Sequence, residues 1–187
     1  MKENNKTNRC VLKATINYPA RAQPKSINGS APKYSACLII SKDDEKTLNA
    51  YQSALEAAYE AGDNQLMNGK TKPKLNLLRC PLHDGDEEKP GQEAYENSYY
   101  LNASSKERVQ IVDRELNPVD PSELYSGCIV NASVTLYAYN TGVSKGIAAA
   151  LNGMQLVKRG ERIGWGPRIE NDFQVLPDDD DENELPF

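Results

Sequence analysis

Histidine, phenylalanine and tryptophan are nearly missing from this 187-residue chain, which holds one His, two Phe and one Trp. With His83 alone, neither a Ser-His-Asp nor a Cys-His relay can be argued, so nucleophilic hydrolysis has no support. Cys10, Cys37, Cys80 and Cys128 are widely separated and form no CxxC pair. Cys80-Pro81-Leu82-His83 has the spacing of half a zinc site, but a tetrahedral site needs two more N or S ligands. A structural role for both residues is the favoured reading. No G-x-x-x-x-G-K-[ST] loop is present, and Gly142-Val143-Ser144-Lys145-Gly146 is not one. No apolar run reaches the ~18 residues that a membrane span needs, and nothing at the amino terminus reads as a signal peptide. These absences predict a reduced, intracellular, cytoplasmic protein without metal, other cofactor, membrane partner or catalytic activity.

Tyrosine and charge are abundant instead. Ten Tyr supply rings with a polar tip, suited to half-exposed surfaces and to stacking. The formal charge of −5 comes from 22 Lys+Arg against 27 Asp+Glu, but its spread is uneven. Asp178, Asp179, Asp180, Asp181, Glu182 and Glu184 lie in the last ten residues, which then close on Leu185, Pro186 and Phe187. Without those six acids, residues 1–177 hold 22 basic against 21 acidic side chains. A near-neutral body can carry a basic groove, and a detachable polyanion can compete for it. Like-charge repulsion and little apolar surface predict an extended, disordered tail over 177–187. A pure solubiliser has no use for an apolar tip, so the tail reads as a peptide for a basic, pocketed partner.

Residues 1–8 are polar and read as a flexible N-terminus, and 9–176 as one domain. Strand patterns occupy Cys10–Ile16, Tyr34–Ile40, Tyr99–Ala103, Val109–Asp113, Gly127–Tyr139 and Gly146–Val157. The strongest alternates Ile129, Asn131, Ser133, Thr135, Tyr137 and Tyr139 with Val130, Ala132, Val134, Leu136 and Ala138. One helix is expected, opened by Ser41 and Asp44 as a capping box and stopped at Gly62, with Leu48, Tyr51, Leu55, Ala58 and Tyr59 on its apolar face. Residues 63–92 read as loop. The fold class is therefore mostly β with one main helix and long loops, a small barrel or sandwich rather than a doubly wound sheet.

Cations interleaved with aromatics suit single-strand binding, because Lys and Arg track phosphates while rings stack bases at roughly 1–3 kcal/mol each. That pattern selects Tyr137, Tyr139, Lys145, Lys158, Arg159, Arg162, Trp165 and Arg168, with Tyr99 and Arg108 from the preceding stretch. The competing reading is a basic surface loop whose Trp165 plugs a barrel end. Tyr99 and Tyr100 are adjacent and face opposite sides of a strand, so at most one can stack. Asp84, Asp86, Glu87 and Glu88 present the carboxylates that Mg²⁺ chemistry would use, and a solvated acidic loop is the favoured alternative.

Four stretches together resemble a phage family of single-stranded-DNA-binding proteins first catalogued as a domain of unknown function. They are Pro81–Glu87, Leu101–Ser105, Tyr125–Ser133 and Lys145–Asn152, with Tyr-Ser-Gly-Cys…Asn-Ala-Ser the most specific. The resemblance spans most of residues 9–175. It implies an OB-fold-like Greek-key β-barrel akin to the podovirus replication single-strand binders, although the early helix is not where a minimal OB-fold carries one. It further implies sequence-independent binding of single-stranded DNA in phage replication and recombination, within the host cytoplasm, and contacts to replication or recombination proteins through the acidic tail. The sequence leaves room for a homodimer. Two rivals stand beside this reading: a DNA-mimic or protein-interaction adaptor, and a metal-dependent nuclease using Asp84 and Asp86.

Overall fold

The computed structural model describes residues 7–17, 33–67 and 69–164. Its strands in chain order are β1 (Arg9–Asn17), β2 (Tyr34–Ser41), β3 (Leu82–Asp84), β4 (Ser98–Ser105), β5 (Gln110–Val112), β6 (Ile129–Asn140) and β7 (Lys145–Lys158). Its helices are α1 (Glu45–Ala61) and the single turns α2 (Asp63–Leu66) and α3 (Gly85–Glu88).

Alternation decides which face of each strand turns inward. Leu12, Ala14 and Ile16 of β1 and Val130, Ala132, Val134 and Leu136 of β6 are buried, while Arg9, Val11 and Lys13 between them stay exposed. In β2, Ala36, Leu38 and Ile40 enter the main core, and Cys37 and Ile39 are buried on the opposite face in a second, smaller cluster. A strand covered on both sides needs an unbroken apolar run, and Ala36–Ile40 supplies one.

The pairings form a ring. β1 pairs antiparallel with β2 and β6, β2 with β4, and β6 with β7. β4 then meets β7 in parallel at Ala103↔Ala149 and Ser104↔Ala150, which closes the circuit. Taken in chain order, the five ring strands connect as 1-2-3-5-4-1, the connectivity of an OB barrel. The closing seam is two residue pairs long, and β3 and β5 extend the sheet outside the ring, on β4 and β7 respectively. The expected mostly-β, OB-like fold with one main helix is what the chain adopts.

α1 lies between the second and third ring strands and buries Tyr51, Ala54, Leu55 and Ala58 against the core. Each large side chain so buried contributes about 2 kcal/mol. Its start corrects the expected capping box. Ser41 ends β2, and Asp44 is itself the N-cap, accepting from Thr47 N at 3.1 Å and Thr47 Oγ1 at 2.8 Å. The 63–92 stretch is also more ordered than a loop, since it holds α2, β3 and α3. Elements of three or four residues are too short for any periodicity to show.

After β7 the chain doubles back along residues 125–127. Tyr125 Oη donates to Gly160 O (2.9 Å), Ile163 N to Ser126 O (2.8 Å), and Ile163 packs on the second cluster. Gly127 makes this possible. Its φ is +115°, and a Cβ there would overlap the Glu161 carbonyl oxygen. Gly127→Ala is expected to destabilise the fold by on the order of 3 kcal/mol, through backbone strain and overlap together. Denaturant midpoints at unchanged m-value measure this, and a wild-type midpoint would mean the 159–163 segment yields without cost.

Candidate nucleic-acid interface

Below the closing seam, β4 and the β6–β7 hairpin diverge and leave a cleft enclosing about 970 Å³, including the part open to solvent. Arg79, Cys80, Pro81, His83, Asn102, Tyr139, Ile147 and Ala148 line it. Backbone contact fixes one wall: Ile147 N donates to Arg79 O at 2.8 Å. The residue before, Gly146, has no side chain to obstruct that approach, and a Cβ there would run into Arg79 O. The opposite wall comes from β3, whose His83 pairs with Tyr100 of β4.

That pairing builds a layer of rings on the outer face of β2 and β4. His83 stacks on Tyr100 with centroids 5.2 Å apart and planes at 22°, and Tyr95 meets Tyr100 edge-on at 5.3 Å. Lys89 Nζ stands 5.7 Å from the Tyr95 centroid and 5.8 Å from that of Tyr100. Glu88 joins the layer, accepting from Tyr100 Oη at 2.8 Å and facing His83 Nδ1 at 2.8 Å. Its bond to His83, then that to Tyr100, holds the Glu88 carboxyl below its usual range. Burial, then Glu88, pushes the Tyr100 phenol up to about 12. Below the rings, Asn17 Nδ2 donates to Tyr95 Oη at 2.9 Å. Burial raises the Cys80 thiol and leaves it an uncharged part of the cleft wall.

The residues selected from sequence fall into separate places. Tyr139 lies in the cleft, and Tyr137, 44% exposed, projects two residues along the same strand face beside Ala148. Lys145 is near the hairpin tip and donates to Met67 O at 2.9 Å. Lys158 pairs with Ile129, at the other end of β6 and about 26 Å from Tyr137 at ~3.3 Å per residue. Arg159 and Arg162 follow it, Arg159 bonded to Glu123 at 2.6 Å and Arg162 over the Tyr125 ring at 4.5 Å. Closeness in sequence is undone by the long hairpin. Tyr99 shares the inward parity of Leu101, with Lys42 Nζ 5.0 Å from its centroid, whereas Tyr100 carries the outer ring layer. Arg108 is exposed at the rim of a second cavity. Trp165, Arg168 and the tail residues Asp178 to Phe187 lie outside the described residues.

Arg79 and His83 line the cleft but are not among the residues that the sequence selects: Arg79 carries no local signal, and His83 reads there as half a metal site. Asp84 and Asp86, the carboxylates of the nuclease reading, share one cation: Lys42 Nζ lies 2.8 Å from both Asp84 oxygens and 2.6 Å from Asp86 Oδ2. That ammonium holds both carboxyls below their usual range. Asp84 also caps α3 by accepting from Asp86 N at 2.9 Å. Among the described residues, no group of three or more His, Cys, Asp or Glu is placed to hold a metal ion. Nor is any helix among them long and apolar enough to cross a membrane.

Residues 8–185 match the model of a family described as Enterobacter phage Enc34, ssDNA-binding protein. The chain belongs to that family. "Putative protein p50" of Acyrthosiphon pisum secondary endosymbiont phage 1 is 28% identical over 165 residues, which is 85% of this chain and 88% of that protein. Among solved structures, the single-stranded DNA-binding protein from bacteriophage Enc34 in complex with ssDNA superposes with a TM-score of 0.70 at 22% identity, over 82% of this chain and 87% of the other. The gp2.5 single-stranded DNA binding protein encoded by bacteriophage T7 superposes at 0.52 with 15% identity, covering 87% and 97%. At these identities the structures establish a common fold, in agreement with the ring connectivity.

Because folding lowers the Glu88 pKa, its stabilisation is present above the ordinary glutamate value of 4.5 and is lost as pH falls through the folded value. Glu88→Gln is therefore expected to destabilise the protein at pH 7, with the gap to wild type narrowing below pH ~4. Urea unfolding at both pH values measures the gap. An equal gap at both would show that the carboxylate charge contributes nothing.

Proposed function

We propose that this chain is a non-catalytic phage single-stranded-DNA-binding protein that acts in replication and recombination, in the cytoplasm of the host cell. Its membership of the Enc34 ssDNA-binding family over residues 8–185 carries the reading. The cleft chemistry supports it. Tyr139 and His83 offer ring faces, Arg79 a guanidinium and Asn102 an amide, a set that takes stacked bases and backbone phosphate without reading sequence. Tyr137 and Lys145 extend that surface along the hairpin. Lys158, Arg159 and Arg162 form a separate basic group at the other end of β6, and Trp165 and Arg168 follow it in sequence.

The acidic segment Asp178–Phe187 acts on the same site. Ile163, two residues before Trp165, packs against the buried cluster of Cys37, Ile39, Tyr95 and Tyr100 on the outer face of β2 and β4, the same face that carries the ring layer. A polyanion tethered there competes with DNA. Once displaced, Leu185, Pro186 and Phe187 are offered to replication or recombination proteins.

The test is a titration with labelled oligo-dT and matched duplex, at low and high salt, with and without residues 178–187. Binding of the single strand is expected, falling steeply with salt, and tighter in the truncated chain. Tyr139→Ala is expected to weaken it by roughly 5- to 100-fold, the worth of one stacked base. Unchanged affinity on truncation would end the competition idea. No binding to either nucleic acid would leave the protein-interaction reading in front.

A further inference from the structure

β1, β6 and β7 contain no Asp or Glu, although the chain as a whole holds 27. Their charged residues are Arg9, Lys13, Lys145 and Lys158. The three strands lie side by side, so this bias in composition becomes a continuous surface. Alternation fixes what the surface shows. Arg9, Val11 and Lys13 of β1 are exposed on its outer face, and β6 presents Asn131, Ser133 and Thr135 beside them. Opposite these, a bulge interrupts the alternation of β7. Ser133 pairs with Gly153 and Val134 with Leu151, which leaves Asn152 as an extra, exposed residue. A bulge re-aims a side chain. Here Asn152 Nδ2 donates to Thr135 Oγ1 at 2.9 Å and to Ser133 Oγ at 3.4 Å. Arg9 Nε donates to the same Ser133 hydroxyl at 3.2 Å, and Asn131 Nδ2 to Gln155 Oε1 at 3.0 Å.

This polar face runs between the cleft and the distant basic group. At one end Tyr137 is paired with Ala148, which lines the cleft, and Thr135 with Ala150. No large side chain of β7 therefore stands on this face between the cleft and Asn152. At the other end Ile129 is paired with Lys158. Acidic groups at the margins are engaged elsewhere. Asp44 feels the Lys13 charge but caps α1 through Thr47, and Glu123 pairs with Arg159. Hydroxyls, amides and cations with no carboxylate among them suit a polyanion. Such groups contact phosphate and sugar and carry no sequence information.

Resting on the single-strand-binding reading above, we propose that the outer face of β1, β6 and β7 is a second contact surface, which binds the sugar-phosphate backbone of the same strand. The strand passes Tyr137 on leaving the cleft and lies along the Thr135–Asn152–Ser133 row. Its phosphates face Arg9 and Lys13, and it ends at Lys158. Stacking holds bases in the cleft, and charge holds the backbone on the sheet.

Val11 stands between Arg9 and Lys13 and is 58% exposed, so a charge can be placed there without touching the core. Anisotropy titrations compare wild type, Val11→Glu, Val11→Lys and Arg9→Gln on two labelled oligo-dT strands. One is about 5 nucleotides long, near the smallest site an OB fold takes, and the other about 16, near the largest. Salt is held at about 0.15 M or above, where charges more than ~8 Å apart are largely screened. On the long strand, Val11→Glu and Arg9→Gln are expected to weaken binding about three- to tenfold and Val11→Lys to tighten it. The salt slope is expected to fall by about 1 in Arg9→Gln and to rise by about 1 in Val11→Lys. The short strand, held by the cleft alone, is expected to stay within about twofold in all three. Opposite shifts from Glu and Lys at one position cannot come from a folding defect. Wild-type affinity and slope on the long strand in all three variants would overturn the second surface and leave the binding function standing. Equal shifts on both strands would overturn it too, since the charges would then act at the cleft. If wild type binds neither strand, the underlying reading fails and the second surface with it.

Discussion

Everything that shapes the surface depends on the short parallel contact between β4 and β7. Two pairs, Ala103↔Ala149 and Ser104↔Ala150, turn an open sheet into a ring. They join positions far apart in the chain, so the loop-closure entropy is met only after the antiparallel neighbours are in place. Small side chains let the two backbones approach, and the same smallness leaves the seam low. On one side the hairpin swings away from β4 and opens the cleft. On the other, Tyr34 and Arg108 gather around the barrel end.

The outer face of β2 and β4 shows how polar groups can be buried beside a core without penalty. Tyr95, Tyr100 and His83 form a ring layer whose polar tips are matched: Tyr100 to Glu88, Tyr95 to Asn17. Lys89 adds its charge above two ring faces, a contact worth roughly 1 kcal/mol where it is partly desolvated. A dry cluster of Leu and Ile would give similar burial but no surface able to stack or to donate. Tyr95 and Tyr100 each use a hydroxyl here that phenylalanine would lack.

How far the sequence discloses this varies with the length of each signal. β6 alternates over twelve residues, and α1 repeats its apolar face over four turns, so both are legible. β3 and α3 span three and four residues, and their pairing partners lie elsewhere in the chain, so no window could reveal them. The cleft follows the same rule. Tyr137 and Tyr139 are legible as neighbours because they sit on one visible strand face. Their grouping with Lys158, Arg159 and Arg162 came from sequence proximity, which a long hairpin converts into distance. Arg79 and His83 reach the cleft only through long-range pairing with Gly146 and Tyr100. A residue's neighbours across strands are set by register, and register is not written locally. Ser41 illustrates the smaller error, a hydroxyl in the right place whose capping role is taken by Asp44, three residues on.

Ile163 has one more consequence, and it concerns concentration. Fourteen residues lie between its packing site on the second cluster and Asp178, a contour of at most ~54 Å over the fifteen steps. On the proposed competition, a tail on such a leash would meet the cleft at an effective concentration on the order of millimolar. The same decapeptide added free in solution has to approach that level before it matches the tethered copy. Lengthening the leash dilutes the tail and shortening it can strand the tail out of reach, with no contact in either partner altered. On that reading, the anchor at Ile163 sets the strength of the competition through the length of the leash alone.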